Sequence, residues 1–278
     1  MSIQIENYCL ESSKKELSIC HITDIHYSAR YPKSLFKQFI KEIQKSKVDY
    51  ICITGDLIDD ALAYQKVDMK SFYDFFHTIS LYAPVICIIG NHDQTVHSLF
   101  KVKYQDAKYL EFTLKRFSRV HVLHNDVYED EKALFIGYVG DPSLLRKELK
   151  KEDQIIEEMK NLCKVPPSKK TVILLSHSPI TIGQNAVQDK LPFLQNVDFI
   201  LSGHTHNGLY PFSKEGNGGI ISPNKKIFPK NVRGVLPTRV PVIISGGMVK
   251  LSRVSGIFRY FNRFFRSSLT FIKIMKKR

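Results

Sequence analysis

The stretch Tyr50-Ile51-Cys52-Ile53-Thr54-Gly55-Asp56-Leu57-Ile58-Asp59-Asp60 decides the fold. Four apolar or β-prone residues in a row, closed by Gly-Asp and a second carboxylate three positions on, describe a buried strand that stops at a polar turn. The carboxylate then stands at the strand's carboxyl end, where in open α/β sheets the loops part and ligands bind. One such turn is weak evidence, because Gly and Asp are ordinary turn residues.

Outward from that stretch the same arrangement recurs four times. Leu17 to Thr23 leads into Asp24-Ile25-His26, and Val85 to Ile89 leads into Gly90-Asn91-His92-Asp93. Val172 to Ser176 leads into His177, and Phe199 to Ser202 leads into Gly203-His204-Thr205-His206. Five strand ends each deliver Asp, Asn or His, and an α/β fold with mixed sheets can gather them at one edge.

The segments between them read as helices that complete βα units. Lys33 to Lys47 sets Leu35, Phe36, Phe39, Ile40 and Ile43 at helical spacing, and Met69 to Tyr82 does so with Phe72, Phe75, Phe76 and Ile79. These aromatics belong to core packing. Tyr104 to Phe117 and the charged block Leu144 to Cys163 read as further helices. Ile3 to Leu10, Val120 to Leu123, Ala133 to Tyr138 and Val240 to Ser245 read as strands.

Residues 210–237 are rich in glycine and proline, have little periodicity, and suit a long loop covering a site. The tail, 256–278, allows two readings. Ile257, Phe258, Phe261, Phe264 and Phe265 oppose Arg259, Arg263 and Arg266, a basic amphipathic pattern suited to an anionic membrane surface. The other reading is a terminal segment packed on the sheet, with Thr270 to Ile274 as a last strand.

With 278 residues, 43% hydrophobic and 24% charged, the chain suits one large α/β domain, 1–278, because the motif strands have to converge. The formal charge of +14 favours anionic partners: a phosphorylated substrate, acidic lipid, or nucleic acid. Nucleic acid is not favoured, since the charge is dispersed and no aromatic-interleaved basic stripe precedes the tail. Five cysteines without a CxxC pair, three of them inside apolar strands, point to a reducing compartment. With no signal-peptide pattern and no membrane-spanning run, the expected location is cytoplasmic, peripheral at the inner membrane face if the tail binds lipid.

Asp24, His26, Asp56, Asn91, His177, His204 and His206 are more ligands than one ion needs. Oxygen and imidazole donors without thiolate suit manganese, iron, zinc or cobalt, and seven ligands with one shared suit two adjacent divalent ions. Such a pair grips a phosphoryl group and supplies hydroxide from a bridging water at neutral pH.

Asp24-x-His26, Gly55-Asp56-x-x-Asp59, Gly90-Asn91-His92-Asp93, His177 and Gly203-His204-x-His206 together resemble the ordered signature of the calcineurin-like metallophosphoesterases. The resemblance covers about Leu17 to His206. A looser likeness, through Leu201 to Gly208 and Ser245-Gly246-Gly247, is to the compact bacterial branch with phosphodiesterases of the YkuE and YaeI type. The resemblance implies a four-layer αββα sandwich with the site at the strands' carboxyl ends, and a phosphodiester or pyrophosphate bond as substrate. It implies Asp24, His26 and His206 on one ion, Asn91, His177 and His204 on the other, and Asp56 bridging, with manganese the first candidate metal. His92 is then a general acid, and Asp59 resembles the carboxylate that pairs with it, or else is a helix cap or a support for the site. Asp93 is expected to cap the segment after it. His21 is expected in the core or behind the site, and His97, His121 and His124 away from it. A membrane-associated nucleotide-lipid pyrophosphatase, a nuclease and a non-catalytic scaffold of the same fold are the alternatives.

Overall fold

The computed structural model describes residues 3–28, 31–59, 67–97, 102–104, 107–145, 150–163, 165–208, 218–219, 229–248 and 267–277. Two six-stranded sheets form its centre. In the first the strand order is β1 (Gln4–Ser12), β14 (Ser268–Lys276), β2 (Leu17–Ile22), β3 (Tyr50–Thr54), β4 (Val85–Ile88), β7 (Val120–Val122). In the second it is β12 (Gly234–Leu236), β13 (Val242–Ile244), β11 (Phe199–Ser202), β10 (Thr171–Ser176), β9 (Ala133–Tyr138), β8 (Val127–Glu129). A separate hairpin pairs β5 (Thr95–His97) with β6 (Val102–Tyr104).

Alternation along the strands accounts for the layers. In β10, Ile173 and Leu175 join the core shared with the first sheet, while Val172 and Leu174 face the other way. Both sets are buried, so these strands are apolar throughout. Helices α1 (Lys33–Ser46) and α2 (Lys70–Ser80) bury Leu35, Phe36, Phe39, Phe72, Phe75 and Phe76 against the first sheet. The Phe36 and Phe75 rings stack at 4.2 Å where these two helices meet. Helix α4 (Glu152–Leu162) lays Ile155, Ile156 and Met159 on the outer face of the second sheet, against Leu134, Ile136, Val172 and Leu174. The result is the four-layer α/β sandwich expected from the sequence. The ligand-bearing strands β2, β3 and β4 run parallel, as do β10, β11 and β13, so each set ends at a common edge.

Several expected elements change. Tyr104 closes strand β6, and the helix expected over Tyr104 to Phe117 shrinks to α3 (Lys108–Leu114). The aromatic spacing there fits both structures over so short a run. The block from Leu144 to Cys163 is not one helix: a helical turn, Pro142–Leu145, and α4 are separate, and Lys151 takes a non-helical φ of −127° immediately before α4. Strand β12 lies within the segment expected to be a loop, and β8 is a further short strand. The tail's last strand is present as β14, longer than expected and inserted between β1 and β2. The basic amphipathic stretch 256–266, most of the loop and Asp60 lie outside the described residues. Among the described residues, no helix is long and apolar enough to cross a membrane.

Candidate metal centre

The strand ends converge. Asp24, His26, Asp56 and His206 form one group, and Asp56, His177 and His204 a second, each with ligand atoms within 4.8 Å of one another. In the first, His26 Nε2 is 3.2 Å from His206 Nε2 and 3.5 Å from Asp56 Oδ2, and His206 Nε2 is 3.3 Å from Asp24 Oδ1. In the second, His177 Nε2 is 3.1 Å from His204 Nδ1 and 3.2 Å from Asp56 Oδ2. One oxygen, Asp56 Oδ2, therefore belongs to both groups.

The backbone delivers these side chains at some cost. Asp24, His26, Asp56, His204 and His206 all have positive φ, between 44° and 67°. That left-handed region is costly for residues with a Cβ, and its recurrence at ligand positions marks strain held by the surrounding loops. Loop-to-loop bonds hold it: Asp24 N donates to Gly55 O at 3.0 Å, His26 N to Asp56 O at 2.9 Å, and Gly203 N to His177 O at 2.9 Å. Two glycines make room. A Cβ on Gly90 would strike the Asp56 carboxylate, and one on Gly203 would strike Thr23 and Asp24.

Hydrogen bonds fix which ligand atom is presented. Asp24 Oδ2 accepts the His204 N–H at 2.9 Å and Asp56 Oδ1 accepts the His92 N–H at 2.8 Å, which turns the other oxygen of each carboxylate inward. The carbonyl of Thr54 can only accept, so His177 donates to it from Nδ1 at 2.7 Å and keeps Nε2 for the site. Thr54 Oγ1 bonds His21 Nε2 at 2.9 Å, so His21 is buried behind the site. Burial pushes His21 down to about 3.

The charge states reflect burial and pairing. Burial pushes His204 down to about 3 and His206 down to about 4, so both rings are neutral with a lone pair to offer. Burial opposes the charge on His177 too, but Asp56 against its Nε2 outweighs this and pushes it up to about 10. Asp56 is held well below the carboxylate range despite its burial, chiefly by His177 and His92, and Asp24 is likewise held low by His206 and His26. The donor set fits a pair of divalent cations. Asp24 Oδ1, Asp56 Oδ2 and Asn91 Oδ1 are shut off from solvent without a well-formed hydrogen bond, and imidazole nitrogens face one another in both groups.

The remaining candidates have definite places. His92 donates from Nδ1 to the backbone carbonyl of Asp59 at 2.9 Å, which leaves Nε2 as its other functional nitrogen. Burial lowers the pKa of this ring. The Asp59 carboxylate stands 3.6 Å from His26 Nδ1, so it adjoins a ligand ring as well as the His92 segment. Asp93 does not cap the segment after it. Its carboxylate reaches back to accept N–H bonds from Gly90 at 2.7 Å, Ile58 at 2.9 Å and Leu57 at 3.2 Å, tying the β3 and β4 loops together. Burial and the charge on Asp56 push this carboxyl up to about 7 against the pull of those donors. His124 bonds Glu111 at 2.7 Å and His121 packs on Tyr128 at 4.1 Å, both outside the two groups. The side chain of His97 lies outside the described residues.

Two further residues support the site: Tyr27, which is not among the candidates drawn from the sequence, and Asn207, which stands within the Leu201–Gly208 likeness. Tyr27, next to His26, is inserted among Tyr31, Phe36 and Phe72 and donates to Asp68 O at 2.8 Å, anchoring the first loop in the α1–α2 layer. Its place beside a candidate ligand was the available signal. Asn207, at φ 54°, donates from Nδ2 to Ser268 Oγ at 3.2 Å and covers Gly246 so closely that a Cβ there would overlap its amide. This joins the His204–His206 turn to the start of β14, a long-range contact that no local pattern announces.

A family model for calcineurin-like phosphoesterases matches residues 17–208. An uncharacterized metallophosphoesterase of Helicobacter pylori strain J99 is 25% identical over 205 residues, which is 73% of this chain and 48% of that protein. One from Aquifex aeolicus is 25% identical over 217 residues, 76% of this chain and 72% of that protein. The matched region thus spans about half the length of the Helicobacter relative. A dimetal phosphatase from Danio rerio aligns over 83% of this chain and 87% of its own, with a TM-score of 0.43 and 11% identity.

Proposed function

The chain belongs to the calcineurin-like phosphoesterase family, and we propose that it hydrolyses phosphodiester or pyrophosphate bonds at a dinuclear divalent-metal centre. The carrying observation is that Asp56 Oδ2 is common to both groups of donors, which is what a carboxylate bridging two ions requires.

Asp24, His26 and His206 would hold one ion, His177, His204 and Asn91 the other, and Asp56 both. Manganese is the first choice, with iron, zinc or cobalt as substitutes. A pair of such ions supplies Lewis acidity toward the phosphoryl oxygens and hydroxide at neutral pH. Asn91 ligates through a neutral oxygen, adding no charge to repel phosphate. His92, oriented by its Nδ1–H bond to Asp59 O, would carry a proton to the leaving oxygen. The Asp59 carboxylate orients the His26 ring from behind. The compact bacterial pattern favours diesters and pyrophosphates over phosphoproteins. The four buried free cysteines, with Cys9 exposed, support a reducing, cytoplasmic setting. The whole chain is taken to act as one domain.

The test is an activity panel on protein reconstituted with manganese, iron, zinc or cobalt. It covers monoesters, diesters, cyclic nucleotides, nucleotide-lipid pyrophosphates and single-stranded DNA, with Asp56→Asn as the blank. Turnover of a diester or pyrophosphate that Asp56→Asn abolishes is the expected result. Equal turnover by the variant, or no metal-dependent hydrolysis anywhere in the panel, overturns the proposal.

A further inference from the structure

Helix α3 carries a surface that the catalytic reading leaves unused. Leu110, Glu111 and Leu114 point inward, while Tyr109 and Phe112 stand 58% and 67% exposed. Leu81 and Tyr82, just before β4, are 62% and 41% exposed. Residues that follow α3 reach the end of α2: Arg119 donates from Nη1 to Leu81 O at 3.2 Å, and the His77 and Phe117 rings meet at 5.8 Å. The other large apolar side chains exposed among the described residues, Ile5, Val127, Leu162 and Met275, lie on other elements.

Among the described residues, the exposed charges on and just after α3 have one sign. Lys108, Lys115, Arg116 and Arg119 are all exposed. The acid of the helix, Glu111, is buried and bonded to His124, and Asp74 on α2 is paired with Lys70 at 2.6 Å. Spacing explains the outcome: positions 108, 109, 112, 115 and 116 share the outer face of a helix, and positions 110, 111 and 114 the inner.

We propose that this face of α3, with the turn before β4, docks on an anionic lipid surface. Aromatic rings rimmed by lysine and arginine suit the headgroup boundary, where ring bodies enter the acyl region and cations meet phosphate. A protein partner would need a matching acidic surface, whereas anionic headgroups supply that charge across the whole membrane face. Leu81 and Tyr82 precede β4, so this part of the patch lies at the amino end of a strand whose carboxyl end leads to the candidate metal centre. The inference does not depend on the phosphoesterase reading.

The chain contains no tryptophan, so Phe112→Trp introduces a single fluorescent reporter. Its emission is expected to shift to the blue on adding vesicles of phosphatidylglycerol and phosphatidylcholine, and to stay put with phosphatidylcholine alone. Leu162→Trp, on α4, is expected to stay put with both. In co-sedimentation of the full chain, Lys115→Gln/Arg116→Gln should weaken partitioning onto anionic vesicles by about thirtyfold, with melting temperature and diester hydrolysis unchanged. No blue shift, or equal partitioning of the double variant, overturns the proposal; the second outcome would assign lipid attraction to another segment. A shift that depends on protein concentration without vesicles also overturns it, since the occupant would then be a second copy of the chain.

Discussion

The seam between the two sheets is built differently at its two ends. At the carboxyl end, candidate ligand residues sit at positive φ and several buried oxygens lack a hydrogen-bond partner. At the amino end, polar groups are matched. Lys14 Nζ meets Asp198 Oδ2 at 2.7 Å, and that carboxylate also accepts the Val172 N–H. Tyr50 donates to Asp130 at 2.7 Å, Lys132 meets Asp49 at 2.5 Å, and Asp49 accepts from Ser18 N and Oγ, each at 2.8 Å. The same strands run between both ends. A residue with a Cβ in the left-handed region costs about 1–3 kcal/mol, and the fold sustains five at ligand positions because its stability rests in the core and at the opposite edge. Strain and unmatched polar atoms are concentrated where ions are expected, which is where a function that opposes stability belongs.

Asp56→Asn tests this division most severely. Hydrolysis should fall by roughly a thousandfold or more, and elemental analysis should find fewer than two ions per chain. In the metal-free variant His177 loses the carboxylate that holds its proton and returns to a neutral ring, so a buried ion pair is exchanged for two neutral groups and the melting temperature should change little. Retained activity would remove Asp56 from the centre; a large fall in metal-free stability would erase the contrast between the two ends. Next comes His92→Gln, expected to lose about 10²–10⁴-fold on esters with poor leaving groups. The loss should be smaller with p-nitrophenolate, which leaves without a proton, and metal content should be unchanged. A uniform loss across leaving groups would argue against proton delivery by this ring.

These ends were unequally legible in the sequence. The carboxyl end announces itself, because candidate ligands stand within three residues of the end of an apolar strand: Asp24 after β2, Asp56 after β3, Asn91 after β4, His177 after β10 and His204 after β11. Chain direction then brings parallel strand ends to one edge. The amino end is assembled from residues such as Lys14 and Asp198, 184 positions apart, in turns with no shared motif. The same limit hid the insertion of β14 between β1 and β2, since strand order is settled by pairing across the whole chain. Local pattern also failed at Asp93, where the motif suggests a cap for the next segment while the carboxylate closes the turn behind it. At Tyr104 a few aromatics at ambiguous spacing could not separate strand from helix.

Asp59→Asn sharpens the comparison at intermediate scale. The carboxylate lies 3.6 Å from His26 Nδ1, and the chain supplies its carbonyl to His92. Weakening the carboxylate while keeping the main chain should reduce affinity for one ion about 10–100-fold, with turnover recovered at saturating metal. Titration of the apoprotein with manganese would measure it. Turnover that stays low at saturating metal, with a leaving-group dependence like that of His92→Gln, would instead link the Asp59 carboxylate to proton delivery.

The smallest effects are expected at the amino end, where they should fall on stability alone. Asp198→Ala removes the Lys14 ion pair and the acceptor for Val172 N, a loss of about 1–2 kcal/mol visible in denaturant unfolding, with diester hydrolysis unchanged. Acid should act at the same end. Burial raises Asp49 and Asp130, but Lys132 and Ser18 on the first and Tyr50 on the second outweigh it and hold both carboxyls below the ordinary value of 3.8. A carboxyl lowered by folding contributes stability above its unfolded pKa and loses it as pH falls through the folded one. The melting temperature should therefore drop as the pH is taken below about 4, and Asp49→Asn/Asp130→Asn should flatten that drop. Both carboxyls are partly exposed, so solvent screening keeps the change small. If instead the double variant lost hydrolysis at neutral pH while keeping its stability, the amino end would be part of the catalytic machinery and the contrast between the two ends would fail.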